Sequence, residues 1–166
     1  MTTLLVTVGS TLFNDLIHAV LENTTLRLLS SLGVTDLVVQ YGNGKLPSGL
    51  FQKGEVNAKG EGRVVFRIKQ AGSDGEGEAL GVKVLRFTDD LGGLIESSNA
   101  VVSHAGQLLF MAATDCPGSG TILQTLRTPQ PLLVVPNTKL MYNHQMELAT
   151  ALEAEKYILV CTSEVE

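Results

Sequence analysis

The feature that most restricts the fold of this chain is a repeated alternation of short apolar runs, loops of small polar residues, and stretches of helical period. The first instance is Leu4-Leu5-Val6-Thr7-Val8, stopped by Gly9-Ser10. So short and apolar a run suits a strand covered on both faces. Leu12, Phe13, Leu16, Ile17, Val20 and Leu21 then recur at three- and four-residue steps and predict one helix with a single apolar stripe. The rhythm returns at 36–41, 82–87, 100–103, 132–135 and 157–161 for strands, and near 90–98, 121–127 and 141–156 for helices. Strands alternating with helices predict an α/β fold, a mostly parallel sheet flanked by helices. Residues 42–81 break the rhythm, with glycines and charges around the alternating run Arg63-Val64-Val65-Phe66-Arg67-Ile68-Lys69. They predict a mobile, irregular excursion that can hold a small hairpin strand.

Neither an internal repeat nor a linker divides the chain, so its 166 residues predict a single domain. At that length roughly 68–70% of the unfolded surface can leave water, enough for a core without disulfides or structural metal. The formal net charge of -5 weighs against nucleic acid as a partner, which would need a basic footprint. Cys116 and Cys161 form neither a disulfide framework nor a zinc motif, and point to a reducing compartment. The N-terminus reads as no signal peptide, and the longest apolar stretches fall far short of the roughly 20 residues a bilayer demands. Membrane contact is therefore expected only through a partner. Asp89-Asp90 lacks the spacing of a ligand set, and Asp90 suits the N-cap of the helix that follows, so no protein-held metal is expected.

In an open parallel sheet, ligands lie beyond the carboxyl ends of the strands, where loops feed helix N-termini. Three loops so placed are rich in small and polar residues. The first is Gly9-Ser10-Thr11; the second is Ser103-His104-Ala105-Gly106 with Gly118-Ser119-Gly120-Thr121; the third starts at Asn137 and runs through Asn143, His144, Gln145 and Glu147. The glycines of 118–121 can let backbone N–H groups approach a diphosphate while Ser119 and Thr121 donate hydroxyl bonds. The same string can equally be a turn with Ser119 or Thr121 as helix cap. The Walker pattern is absent, and the first loop lacks the dinucleotide glycine fingerprint, which disfavours a nicotinamide oxidoreductase. His104 can hydrogen-bond a phosphate, orient a loop, or simply be a satisfied structural residue. Ser103 and His104 point to opposite faces of their strand and no nucleophile elbow is present, which argues against a Ser-His hydrolase. On a helix, Asn143 and Glu147 lie within about 40° of one another, so an amide and a carboxylate share a polar face that can grip sugar hydroxyls, or merely cap the helix and complement its dipole. Gln145 falls toward the apolar side, where burial without a partner would cost on the order of 1–3 kcal/mol, so a ligand or a loop should satisfy it.

Five ordered segments carry a resemblance: 6–11, 102–106, 118–123, 131–137 and Leu140-Met141-x-Asn143-His144-Gln145-x-Glu147-Leu148-Ala149. From Leu4 to about Val160 the chain resembles the small, donor-binding cytosolic subunits of dolichyl-linked UDP-N-acetylglucosamine transferases, which are of the glycosyltransferase family 28 C-terminal type. The resemblance implies a Rossmann-like domain, half of a GT-B glycosyltransferase, whose other half is a membrane-anchored, acceptor-binding partner subunit. It implies transfer of N-acetylglucosamine from UDP-GlcNAc to dolichyl-diphosphate-GlcNAc with inversion, on the cytosolic face of the endoplasmic reticulum and without a cofactor. Ser103, His104 and Gly106 with Ser119, Gly120 and Thr121 would form the diphosphate loop. Asn143, Gln145 and Glu147, supported by His144, would hold the sugar and ribose, and Gly9, Ser10 and Thr11 would line the substrate cleft facing the partner. No residue stands out as general base; His104 is the one candidate for a catalytic role. The chain departs from the family pattern where Gln107 to Gly118, twelve residues, separate Gly106 from Ser119, and in the length of the excursion. The insertion can leave the two lips of the loop together or misplace one, and the latter gives the competing expectation of a non-catalytic, nucleotide-binding form.

Overall fold

Valine and leucine dominate the short runs, and their side chains pack well on a pleated surface whose two faces are both covered. The computed structural model describes residues 1–51, 55–67, 79–104, 125–137, 150 and 152–161. Among these the order is β1 (Thr3–Thr7), α1 (Asn14–Val20), α2 (Asn23–Ser31), β2 (Asp36–Gln40), β3 (Gly62–Arg67), β4 (Ala79–Leu85), α3 (Leu91–Glu96), β5 (Ala100–His104), β6 (Leu132–Val135) and β7 (Leu159–Val160). The strands form one seven-stranded sheet in the order β3-β4-β2-β1-β5-β6-β7. Every neighbouring pair is parallel except β3 with β4. From β1 the chain steps outward on one side to β2 and β4, then returns to β5 on the other side and steps to β6 and β7. With the hairpin strand β3 set aside this is the Rossmann order, and the direction reverses between β1 and β5.

Right-handed crossovers place the connections of the two halves on opposite faces of the sheet. Val6, Val39 and Val84 pack on one face against Phe13, Leu16, Ile17 and Leu26 of the first crossover. Leu5, Val101 and Val134 pack on the other against Ile95 of α3, with Leu126 and Leu152 beside them. This two-sided burial explains why the central strands read as continuous apolar runs rather than alternating ones.

Several elements differ from the sequence expectation, among them β7, which spans Leu159–Val160 where a strand is expected over 157–161. The first crossover holds two helices, not one: the chain turns extended at Glu22, and α2 follows with Leu26 fully buried. Leu12 and Phe13 precede α1, where Phe13 is buried and Leu12 exposed. The strand expected at 82–87 begins earlier, at Ala79, and stops at Leu85; the next carbonyl, on Arg86, accepts from Gly42 N and from the Gln40 side chain. The excursion does contain a hairpin strand: β3 pairs along β4 from Gly62↔Val84 to Arg67↔Ala79. An ion pair joins Arg63 Nη2 to Asp36 Oδ1 at 3.5 Å on that side of the sheet. Among the described residues no helix is long and apolar enough to cross a membrane.

Candidate functional site

The crevice at the strand reversal is built by the carboxyl ends of β1 and β5, with those of β2 and β4 beside them. Thr7 is in register with both Gln40 and Ser103, and Gln40 with Leu85. Side chains in register on parallel strands share a face, so Thr7, Gln40 and Ser103 stand on the α3 face and His104 on the α1 face. Ser103 and His104 are both buried. The Ser103 hydroxyl lies 3.4 Å from the His104 carbonyl oxygen. The imidazole of His104 meets Phe13 edge to face, with ring centroids 5.8 Å apart and planes at 70°. Phe13 is the residue before α1, so this contact pins the end of the first loop onto β5. Burial lowers the His104 pKa to about 4, and the ring is neutral at neutral pH. It can donate or accept one hydrogen bond at each nitrogen but brings no positive charge to a phosphate.

Gly9 adopts φ +62°, in the left-handed region that glycine enters without a Cβ penalty. Its N–H donates to Gln40 Oε1 at 2.9 Å, and its carbonyl accepts from Gln40 Nε2 at 3.0 Å. Ser10 is exposed, and its carbonyl accepts from Asn43 Nδ2 at 2.9 Å. Thr11 N–H closes the turn on the Val8 carbonyl at 3.2 Å. Gly42, at φ +55°, brings the loop after β2 against this one; a Cβ there would run into the Gly9 carbonyl oxygen. The close backbone approach and the positive φ both require glycine.

Beyond β4 the Arg86 guanidinium donates from Nε to the Gly42 carbonyl at 3.3 Å and lies 5.9 Å from the centre of the Phe87 ring. Burial raises the Tyr41 pKa, and the positive charge of Arg86 partly offsets that rise. Phe87 is half exposed and lines an open cleft of about 480 Å³ with Lys59, Glu61, Lys83, Asp89 and Asp90. An exposed ring at the carboxyl edge of a sheet offers a planar group a stacking surface. Asp90 caps α3 as its position in the sequence suggests: Oδ1 accepts from Gly93 N at 2.9 Å.

The structure thus brings Gly9, Ser10, Thr11, Ser103 and His104 together at the strand reversal. Gly106, Ser119, Gly120, Thr121, Asn143, His144, Gln145 and Glu147 lie outside the described residues, as does the expected insertion at 107–118. Sequence reasoning passed over Gln40, Gly42 and Phe87. A polar residue closing an apolar strand one position before Tyr41-Gly42 is the signal that could have marked the first two. No group of three or more metal-ligating side chains occurs among the described residues.

Comparison with known proteins gives a consistent picture. The model of the glycosyltransferase family 28 C-terminal domain matches residues 3–115 and 117–165. A UDP-N-acetylglucosamine transferase subunit ALG13 of Cryptococcus neoformans is 45% identical over 174 residues, covering 98% of this chain and 78% of that protein. The Homo sapiens protein of the same name is 33% identical over 160 residues, which cover 96% of this chain and 11% of the human one. An NMR solution structure of ALG13 superposes with a TM-score of 0.56 at 25% identity, covering 96% of this chain and 77% of that one.

Proposed function

The chain belongs to the glycosyltransferase family 28 C-terminal domain family, and from that premise we propose that it is the donor-binding subunit of an N-acetylglucosaminyltransferase. The donor is UDP-GlcNAc and the acceptor dolichyl-diphosphate-GlcNAc, presented by a membrane-anchored partner subunit that also recruits this chain to the cytosolic face of the endoplasmic reticulum. The observation that carries this reading is the crevice at the strand reversal, where Gly9–Thr11 and Ser103–His104 meet at the carboxyl ends of β1 and β5. That is where a doubly wound sheet takes a nucleotide. Phe87 offers uracil a stacking face at the same edge of the sheet.

In this reading Ser103, His104 and Gly106 with Ser119, Gly120 and Thr121 receive the diphosphate. Asn143, Gln145 and Glu147, with His144 behind them, hold ribose and sugar. Loop N–H groups and hydroxyls stabilise the charge that grows on the departing UDP, an effect stronger in the transition state than in the bound donor. The acceptor hydroxyl attacks the anomeric carbon from the opposite side, so the configuration inverts. His104 acts as a neutral hydrogen-bonding group, since burial holds it unprotonated. The base that accepts the hydroxyl proton is supplied by the partner or the acceptor. One sheet cannot enclose a nucleotide sugar and a lipid-linked acceptor in a dry cleft, which is why catalysis requires the partner.

The twelve-residue insertion between Gly106 and Ser119 favours a second reading, a nucleotide-binding form without catalysis. Co-expression with a membrane subunit of the same transferase, followed by calorimetry with UDP-GlcNAc, UDP and NAD and by a transfer assay on dolichyl-diphosphate-GlcNAc, separates the two. Donor binding with transfer is the expected result. Donor binding without transfer supports the second reading, and silence toward every uridine nucleotide defeats both.

A further inference from the structure

We infer that Gln40 is a positioning residue that makes the loop after β1 and the segment after β4 one rigid lip of the donor site, an inference that rests on the donor-binding reading above. Its amide is buried at the carboxyl end of β2, between the two strands whose ends it joins. Oε1 accepts from the Thr7 hydroxyl at 2.6 Å and from Gly9 N at 2.9 Å. Nε2 donates to the Gly9 carbonyl at 3.0 Å and to the Arg86 carbonyl at 2.9 Å. Two acceptor bonds and two donor bonds fill the ordinary capacity of a carboxamide. These partners also fix which end is which, because the reversed amide would set N–H against N–H and carbonyl against carbonyl.

The position of these bonds makes them more than a fastener of the core. Ordinary ladder bonds join β1 to β2 and β2 to β4, but the ends of β1 and β4 are not neighbours, and Gln40 bridges them across β2. One end of the bridge holds both backbone groups of Gly9, whose left-handed turn sets the course of Ser10 and Thr11. The other end holds the carbonyl that precedes the exposed Phe87 ring. A nucleotide sugar that spans the strand reversal and stacks at Phe87 meets both ends. Fixing them before binding spares the donor the ordering of two loops, which would otherwise be subtracted from its affinity.

The test uses the chain co-expressed with the membrane subunit, as native protein, Gln40→Met and Gln40→Glu. Methionine fills the same volume but makes none of the four bonds; glutamate keeps the two made by Oε1 and loses the two made by Nε2. Amide hydrogen exchange and donor affinity are read together. We expect Gln40→Met to speed exchange at Gly9 at least tenfold while Leu5, Val38 and Val101 keep native protection. UDP-GlcNAc should bind at least tenfold more weakly, with the KM for the lipid acceptor unchanged. Faster Gly9 exchange with native donor affinity would overturn the inference and leave the transferase reading intact, as would exchange that does not change. Failure of the native complex to bind UDP-GlcNAc would remove the reading and this inference together. Should Gln40→Met lose protection throughout the strands, Gln40→Glu decides: a threefold or greater loss of donor affinity with a protected core supports the role, and native affinity refutes it.

Discussion

His104 combines a position at the strand reversal with nearly complete burial, and the combination has a measurable consequence. With an ordinary pKa of 6.5 when unfolded and about 4 in the folded chain, the imidazole binds its proton more readily after unfolding. Folding stability contributed by this group is therefore complete above pH 6.5 and falls as pH drops toward 4. From pH 7.5 to pH 5 the loss should be about 2 kcal/mol, at roughly 1.4 kcal/mol per pKa unit. Urea unfolding of native protein and His104→Gln at both pH values isolates it, since the other histidines are common to the two. We expect the native protein to lose about 2 kcal/mol more than the variant between these pH values; parallel losses would mean that the imidazole takes up its proton inside the fold. At this scale the site was half legible. Ser103 and His104 stand out because they end an apolar run before a glycine loop. Gln40 does not, because its significance lies in partners 31 and 46 residues away in the chain, and no local pattern encodes them.

Among the elements, legibility followed burial. β1, β2, β5 and β6 are covered on both faces, so their apolar runs coincide with the strands to within a residue. α2 escaped notice because Thr24, Thr25, Ser30 and Ser31 are weak helix formers, and its helix depends on the burial of Leu26 against the sheet. β7 is two residues long and last in the order of the described strands, where little packing extends a strand. α3 is the counter-example, a short helix whose start is marked by chemistry rather than by hydrophobic period. It has glycine at two of its first three positions, which lowers its intrinsic propensity, so the Asp90 cap matters more than it would on a longer helix. Asp90→Ala should destabilise the chain by about 1 kcal/mol, and Asp90→Asn, which retains an accepting oxygen, by less. Denaturant titration of the two variants checks this order. Equal losses would assign the effect to the carboxylate charge and not to the bond with Gly93 N.

At the scale of the whole molecule, residues 107–118, expected from the sequence to be an insertion, can be weighed by crossover geometry. β5 has five residues and is parallel to β6, so the chain leaving His104 must return along the sheet before β6 can begin. A five-residue strand rises about 16 Å, and about ten residues of helix at 1.5 Å each cover the same length. Once 107–118 are removed, fifteen residues, 105–106 and 119–131, still join β5 to β6, more than the dozen a parallel crossover needs, and Leu126 packs on the face where a right-handed return would run. On that count residues 107–118 are not needed to close the crossover, and their removal would place Gly106 directly before Ser119, the two lips of the proposed diphosphate loop. We expect the variant lacking 107–118 to fold, with hydrogen exchange in β1, β5 and β6 as slow as in the native chain. In complex with the membrane subunit it should transfer N-acetylglucosamine at least as fast as the native protein. Transfer seen only after the deletion would identify the native chain as the non-catalytic form. A folded deletion variant that binds UDP-GlcNAc more weakly than the native chain would show that the inserted segment belongs to the donor site, and that the two lips do not need to be contiguous in sequence to act together.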